Sequence, residues 1–262
     1  KDDVITKWLE KGMANLLHHN TVSFLHFIEL FIDGSKQYLD TKNYKYALML
    51  YYALFQDRLD KTGFASIYEA LELIHKEMYS YFKQEISEII SYLLAHLQLK
   101  TMPLGEDVLP GLELYGCYTR EEIFTLVGRQ TEARKMQGSV TGVFNLSECN
   151  ATLLFVTLNK SDKDFSPSTQ YNDYFINEHY FHWQSQNTDS HQNNGGQRYT
   201  KQADTQNKII LFVREEKKDG YGNTCPFHCF GLVEYMSSHD DFPMNITWKL
   251  QQPAMAQYVK AI

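Results

Sequence analysis

The sequence predicts an α+β protein, with an all-α bundle over residues 1–114 and a small β-barrel domain with flanking helices over 115–262. Three observations carry that prediction. Apolar residues recur at helical spacing as far as about Leu99, a stretch with prolines and glycines then interrupts the spacing, and beyond Gly142 the period falls to two.

In the first part the helical recurrences are Val4, Trp8 and Leu9, then Phe24, Phe27, Ile28 and Phe31, then Ile67, Leu71, Ile74 and Met78, then Ile86, Ile89, Ile90, Leu93 and Leu97. Breaks at Asn43, Asp60 to Gly63 and Ser80 to Lys83 give about five helices. The aromatic faces at Phe24, Phe27, Tyr44, Tyr46, Tyr51, Tyr52 and Phe55 read as bundle core. The stretch TMPLGEDVLPGLELYG, Thr101 to Gly116, ends the pattern, and the domain boundary is placed there. TREE follows, and puts Thr119 three residues before Glu122, the spacing of a capping box at the start of a short helix.

In the second part TLLFVTL (152–158) and KIILFVRE (208–215) are apolar on both faces, as strands covered on both sides are. MNITWKL (244–250) alternates, and HCFGLVEYM (228–236) reads as a further strand. Between them Gln186 to Asn207 is polar and reads as a long loop, with Gly195 and Gly196 as the points about which it would move.

Composition bounds the function. A chain of 262 residues that is 43% hydrophobic has the material for a core, and no run of eighteen apolar residues suggests a membrane span. Four scattered cysteines are too few for a disulfide framework and point to a reducing, cytoplasmic setting. The chain begins at Lys1 without a signal-peptide pattern, as an internal or C-terminal piece of a longer protein would. The net charge of -7 confines any phosphate-binding face to a local patch. No P-loop, H-E-x-x-H or G-x-S-x-G motif occurs, so nucleotide hydrolysis by these residues is not expected.

The chemistry-bearing residues concentrate in YNDYFINEHYFHWQSQ, 171–186. Tyr171, Tyr174, Phe175, Phe181 and Trp183 supply flat faces, while Asp173, His182 and Gln184 supply donors and acceptors. Reading a nucleobase needs that pairing, because stacking fixes the plane and a carboxylate or amide meets the Watson–Crick edge. An aromatic core whose polar neighbours are satisfied internally gives the same composition. The run Cys225, Pro226, Phe227, His228, Cys229 reads as half a zinc site or as buried structural cysteines. His179 and His182 are spaced for a metal on a helix, and Glu216 with Lys218 for a nuclease carboxylate and lysine; packing and solvated charges are the plainer readings, and no metal ligand is assigned.

The ordered segments LLFVTLNKSDKDFSPSTQYNDYFINEHYFHWQSQ, GGQRYTK, KIILFVREEKKDG and MNITWKL resemble the C-terminal domain of large bacterial proteins that join a phospholipase D-type nuclease, a superfamily 2 helicase and this module. The resemblance covers 115–262 and is nearest to the SauUSI type of ATP-dependent, modification-dependent (type IV) restriction endonuclease; the helical part resembles, more weakly, the connector after the helicase. It implies an SRA- or PUA-like barrel that flips 5-methylcytosine or 5-hydroxymethylcytosine out of double-stranded DNA. It implies too that ATP and Mg chemistry, and the helicase and nuclease partners, belong to other domains of a cytoplasmic enzyme, which is a possible homodimer.

Within that reading Asp173 or Gln184 meets the exocyclic amine, His182 or a backbone N–H meets O2 and N3, and Phe155, Phe175 or Phe181 packs the C5 substituent. A methyl contributes about 0.8 kcal/mol by transfer, so methyl readout demands close packing. Arg198, Lys201, Lys208, Arg214, Lys217 and Lys218 are the expected phosphate contacts. Two other classes compete: a protein-interaction or assembly module coupling a helicase to partner subunits, and a nuclease using Glu216 and Lys218.

Overall fold

In the computed structural model, which describes residues 2–105, 108–136, 141–160 and 172–259, the chain is α+β and divides into two units, Lys1–Ser139 and Val140–Ile262. The helices of the first unit are α1 (Asp2–Ala14), α2 (Val22–Ile32), α3 (Tyr44–Phe55), α4 (Leu59–Thr62), α5 (Ile67–Glu72), α6 (Ser80–Ala95) and α7 (Arg120–Leu126). Short extended pieces β1 (Met102–Pro103), β2 (Glu113–Leu114) and β3 (Cys117–Tyr118) lie between α6 and α7.

α3 is the centre of this unit. Every residue from Ala47 to Phe55 is buried, whereas α6 buries only the stripe Phe82, Ile86 and Ile90. α1 packs on α3 through Ile5, Leu9 and Gly12. A Cβ at Gly12 would stand 2.5 Å from the Leu54 Cα, so glycine is what lets the two backbones cross so closely. The predicted capping box is present, Thr119 accepting from the Glu122 N–H and Glu122 from the Thr119 N–H.

By packing, the units divide at Ser139/Val140, beyond the 114/115 boundary expected from the sequence. The reason is a set of hydrogen bonds tying the residues after 115 to the helices. The Lys45 ammonium donates to the Leu126 carbonyl, the Tyr52 hydroxyl to that of Thr131 (2.6 Å), and the Tyr44 hydroxyl to Glu132 (3.1 Å). Loss of helical periodicity at 101–116 marks a turn inside a unit.

The second unit is a mixed sheet built from β4 (Val143–Leu146), β5 (Ala151–Asn159), β6 (Tyr174–Phe175), β7 (Tyr180–Gln184), β8 (Lys208–Glu216), β9 (Phe227–His239) and β10 (Asn245–Leu250). Their order is β4-β5-β8-β9-β10-β7-β6, with β5 and β8 parallel and the other neighbours antiparallel. The parallel pair is buried on both faces, as its unbroken apolar runs require. Among the described residues no pairing joins β4 to β6, so the closed barrel expected is not shown. Gly231, at φ 73, faces the bulge where the β8–β9 register shifts between Leu211 and Phe212. No helix of the described residues is long and apolar enough to cross a membrane.

The segment 186–207 is not the mobile loop its polarity suggests. It folds into α8 (Asn194–Thr200) and α9 (Gln202–Thr205), and Asn193 caps α8 by accepting from the Gly196 N–H at 3.0 Å. Tyr199 is buried edge-on to Trp183 (5.2 Å) and Trp248 (6.0 Å). Gln202 reaches β9, donating to the Val233 carbonyl at 2.8 Å and accepting from the Tyr235 N–H at 2.7 Å. The polar side chains are thus used on neighbouring backbone groups, which composition does not reveal.

Gly196 is a contact point and not a hinge. A Cβ there would lie 2.0 Å from the Ser190 carbonyl oxygen and 2.5 Å from the Met244 sulfur. Gly196→Ala is therefore expected to destabilise by about 1–3 kcal/mol through overpacking, despite the gain of about 1 kcal/mol that alanine normally brings to a helix. Gly220→Ala, which meets nothing within 4 Å, should stay within about 0.5 kcal/mol. Urea unfolding of the two variants checks the pair, and equal effects would remove the close-packing account.

Candidate nucleic-acid interface

The strand period decides where the chemistry-bearing run points. On β7, Phe181 and Trp183 are buried while Tyr180, His182 and Gln184 are partly exposed. β6 turns Phe175 in and Tyr174 out, and β10 turns Ile246, Trp248 and Leu250 in and Asn245, Thr247 and Lys249 out. Direct pairing then lines up Tyr174, His182, Thr247 and Ser237 as one row across four strands. Gln184, Asn245 and His239 form the next.

The rows display one ring pair. Tyr174, 44% exposed, stacks on His182 with centroids 4.7 Å apart and planes at 14°. His182 Nδ1 lies 2.9 Å from the Asn172 carbonyl oxygen, which fixes the imidazole. The amides beside it form a chain: the Asn172 N–H donates to Gln184 Oε1 (2.6 Å), Gln184 Nε2 to Asn245 Oδ1 (3.0 Å), and Asn245 Nδ2 to Asp240 (3.0 Å). Each amide keeps further hydrogen-bonding capacity beyond these contacts.

The other expected stacking residues lie elsewhere. Phe175, Phe181 and Trp183 belong to the core of the unit, with Phe230, Tyr199, Trp248 and Tyr258. Phe155 alternates with Leu154 and Val156 of that core, is itself buried, and stacks on Phe212 at 5.3 Å. For these four to hold a base the core would have to open. Tyr171 lies outside the described residues.

Asp173 is also committed internally. Its carboxylate accepts from the Gln184 N–H at 2.9 Å and pairs with the Lys160 ammonium at 2.5 Å, both side chains being less than a tenth exposed. Burial pushes the Asp173 carboxyl up, and Lys160 opposes that shift without cancelling it. Lys160 was not foreseen, because no spacing rule pairs a lysine with an aspartate thirteen residues on.

The six expected phosphate contacts do not form one patch. Arg198 is half-buried on α8, and Lys201 at its end donates to Gln197 at 3.0 Å. Lys208 opens β8 while Lys217 and Lys218 follow its end, which separates them by roughly 30 Å of strand. Arg214 is buried: it donates to the Thr157 hydroxyl and the Cys225 carbonyl, each at 3.0 Å, and lies 4.3 Å over the Phe227 ring. Its guanidinium serves the sheet.

The remaining sequence candidates resolve as packing or exposed charge. His228 bonds the Tyr258 hydroxyl at 2.6 Å and its pKa falls to about 4 through burial, while Cys229 is buried with its thiol pushed to about 12. His179 precedes β7 and His182 lies on it, so the helical spacing expected of them does not arise. Glu216 and Lys218 are exposed at the end of β8. The sequence reading missed His191, held between Asp241 (2.8 Å) and Ser238 (2.8 Å), 50 and 47 positions along the chain; these contacts brace the segment before α8 against the end of β9.

Lys160→Met is expected to destabilise by about 3–5 kcal/mol at neutral pH, since it strands a buried carboxylate. The sign with pH follows from the raised Asp173 pKa: the cost of a charged Asp173 is incurred above that pKa and relieved below it. Acidification should therefore narrow the gap between variant and wild type in urea melts, and a gap that widens would show the pair is not the cause.

No curated protein matches this chain. A family model described as a domain of unknown function (DUF3427) matches residues 112–261, beginning inside the first unit and running through the whole described sheet. The chain belongs to that family, and the Tyr174–His182 face lies on the part the two share.

Proposed function

We propose that this chain is the recognition part of a SauUSI-type, ATP-dependent type IV restriction endonuclease. In this reading the second unit binds duplex DNA carrying 5-methylcytosine or 5-hydroxymethylcytosine and extrudes the modified base. The observation that carries the reading is the exposed, pre-stacked Tyr174–His182 pair beside the amides of Gln184 and Asn245. An extruded cytosine lays its face on Tyr174 and turns its edge to those amides. Stacking of a base on an aromatic side chain contributes about 1–3 kcal/mol, comparable to the few kcal/mol of unpairing.

The kinship to SRA and PUA barrels rests on the resemblance of the sequence segments, as does the choice of cytosine. Tyr171 remains a candidate for the opposite face of the base. Phe175, Phe181 and Trp183 act from below, holding β6 and β7 so that the outer row is rigid before the base arrives. ATP and Mg act in the helicase and nuclease parts of the longer enzyme.

Tyr174→Ala and His182→Ala are each expected to weaken binding to a 5-methylcytosine duplex by about tenfold or more, with little change in melting temperature. Trp183→Ala should instead lower stability by about 3–5 kcal/mol. Fluorescence titration with methylated and unmodified duplexes at moderate salt decides. Equal affinity of the wild-type protein for both duplexes would sink the reading and leave an assembly module in its place.

A further inference from the structure

We propose that His18, His19 and Glu122 form a binding site for one divalent metal ion of the zinc class within the first unit. Their ligand atoms all lie within 4.8 Å of one another, the one such His, Cys or acidic group of three among the described residues. His18 Nε2 stands 2.9 Å from one Glu122 oxygen and His19 Nε2 3.2 Å from the other. Zinc bonds of about 2.0–2.2 Å to nitrogen and oxygen place tetrahedral ligand atoms roughly 3.3 Å apart. Each histidine already stands near that distance from a carboxylate oxygen, and the three ligand atoms, within 4.8 Å of one another, draw together around the ion.

The second observation is His19 itself. Its side chain has no solvent exposure, its Nδ1 has no hydrogen-bond partner among the described residues, and its Nε2 faces the Glu122 carboxylate at 3.2 Å without good hydrogen-bond geometry. A metal ion bound between His19 Nε2 and the carboxylate would replace that poorly aligned contact with a directed bond. The ring is wedged between its neighbours, 4.1 Å from the His18 ring and 4.6 Å from Phe24, so it does not turn away to find water.

The carboxylate is oriented independently. Glu122 sits in the first turn of α7 and accepts from the Thr119 N–H at 2.8 Å, an outer contact of the kind that fixes ligand geometry at metal sites. Two imidazoles and one carboxylate suit zinc and its neighbours, whereas calcium and magnesium prefer oxygen ligands throughout. His18 is 18% and Glu122 10% exposed, so the cluster opens to solvent on their side and a water takes the fourth position. The ion would join the chain before α2 to the first turn of α7, across about a hundred residues of sequence.

The test is a zinc titration of the whole chain, stripped of metal, in competition with a chromophoric chelator of micromolar affinity. One zinc per chain is expected, with His19→Ala and Glu122→Gln each weakening it at least about tenfold and Cys225→Ser leaving it unchanged. Circular dichroism shows whether each variant folds; if one does not, the cobalt-substituted wild type decides, since nitrogen and oxygen ligation gives visible bands without sulfur-to-metal charge transfer. Failure of the wild type to bind zinc at stoichiometric concentration overturns the proposal. So does binding that persists in both ligand variants, or is lost with Cys225→Ser. DNA binding is a separate readout and does not enter.

Discussion

The inward packing of β7 and β10 is the constraint on which the second unit depends. Trp248 has no exposed surface and touches Trp183, Tyr199 and Tyr235 with ring centroids 6.0 to 6.2 Å away. These rings bury far more apolar area than any aliphatic neighbour, so a one-residue slip of either strand would exchange the core for the solvent face at prohibitive cost. The register is therefore set from inside. The outer row of Tyr174, His182, Thr247 and Ser237 is a consequence of where Phe181, Trp183 and Trp248 must go.

The same core explains why several charged groups serve the fold instead of a ligand. Arg214 and Thr157 face each other across the parallel β5–β8 pair, buried and hydrogen-bonded at 3.0 Å. Asp173 and Lys160 make a comparable pair beside β7. Taking such charges out of water is tolerable only when each is hydrogen-bonded or paired, and groups so engaged have less left to offer a substrate. Candidate residues chosen by chemical type therefore divide by burial: Asp173 and Arg214 are structural, while Tyr174, His182 and Gln184 remain accessible.

Strand period, helical period and the Thr119 capping box were legible because they are local signals that tertiary packing reinforced. The α+β class followed from them. The placement of residues 115–136 was not legible, since it depends on the Lys45, Tyr44 and Tyr52 side chains reaching some eighty positions along the chain. Nor was α8, whose two glycines and polar flanks argue for a loop until Trp183, Trp248 and Met244 supply the surface on which its Tyr199 and Gly196 pack. Within the candidate site, alternation was readable in YFHWQ, but which parity faces the core was not. Both Phe181–Trp183 and Tyr180–His182 carry rings, and only the partner strand β10, with Ile246 and Trp248 on one parity, settles the direction.

The spread of basic side chains bears on how such a face would act on DNA. With a net charge of -7, and Lys208 separated from Lys217 and Lys218 by the length of β8, few phosphates can be neutralised at once. Each phosphate contact contributes about -0.9 to the slope of log affinity against log salt, so a reader with two or three contacts has a shallow salt dependence and little non-specific grip. Its affinity must then come from the base. A face that gains mainly from one stacked base favours nucleotides already loosened from the duplex, for which the cost of unpairing is smallest.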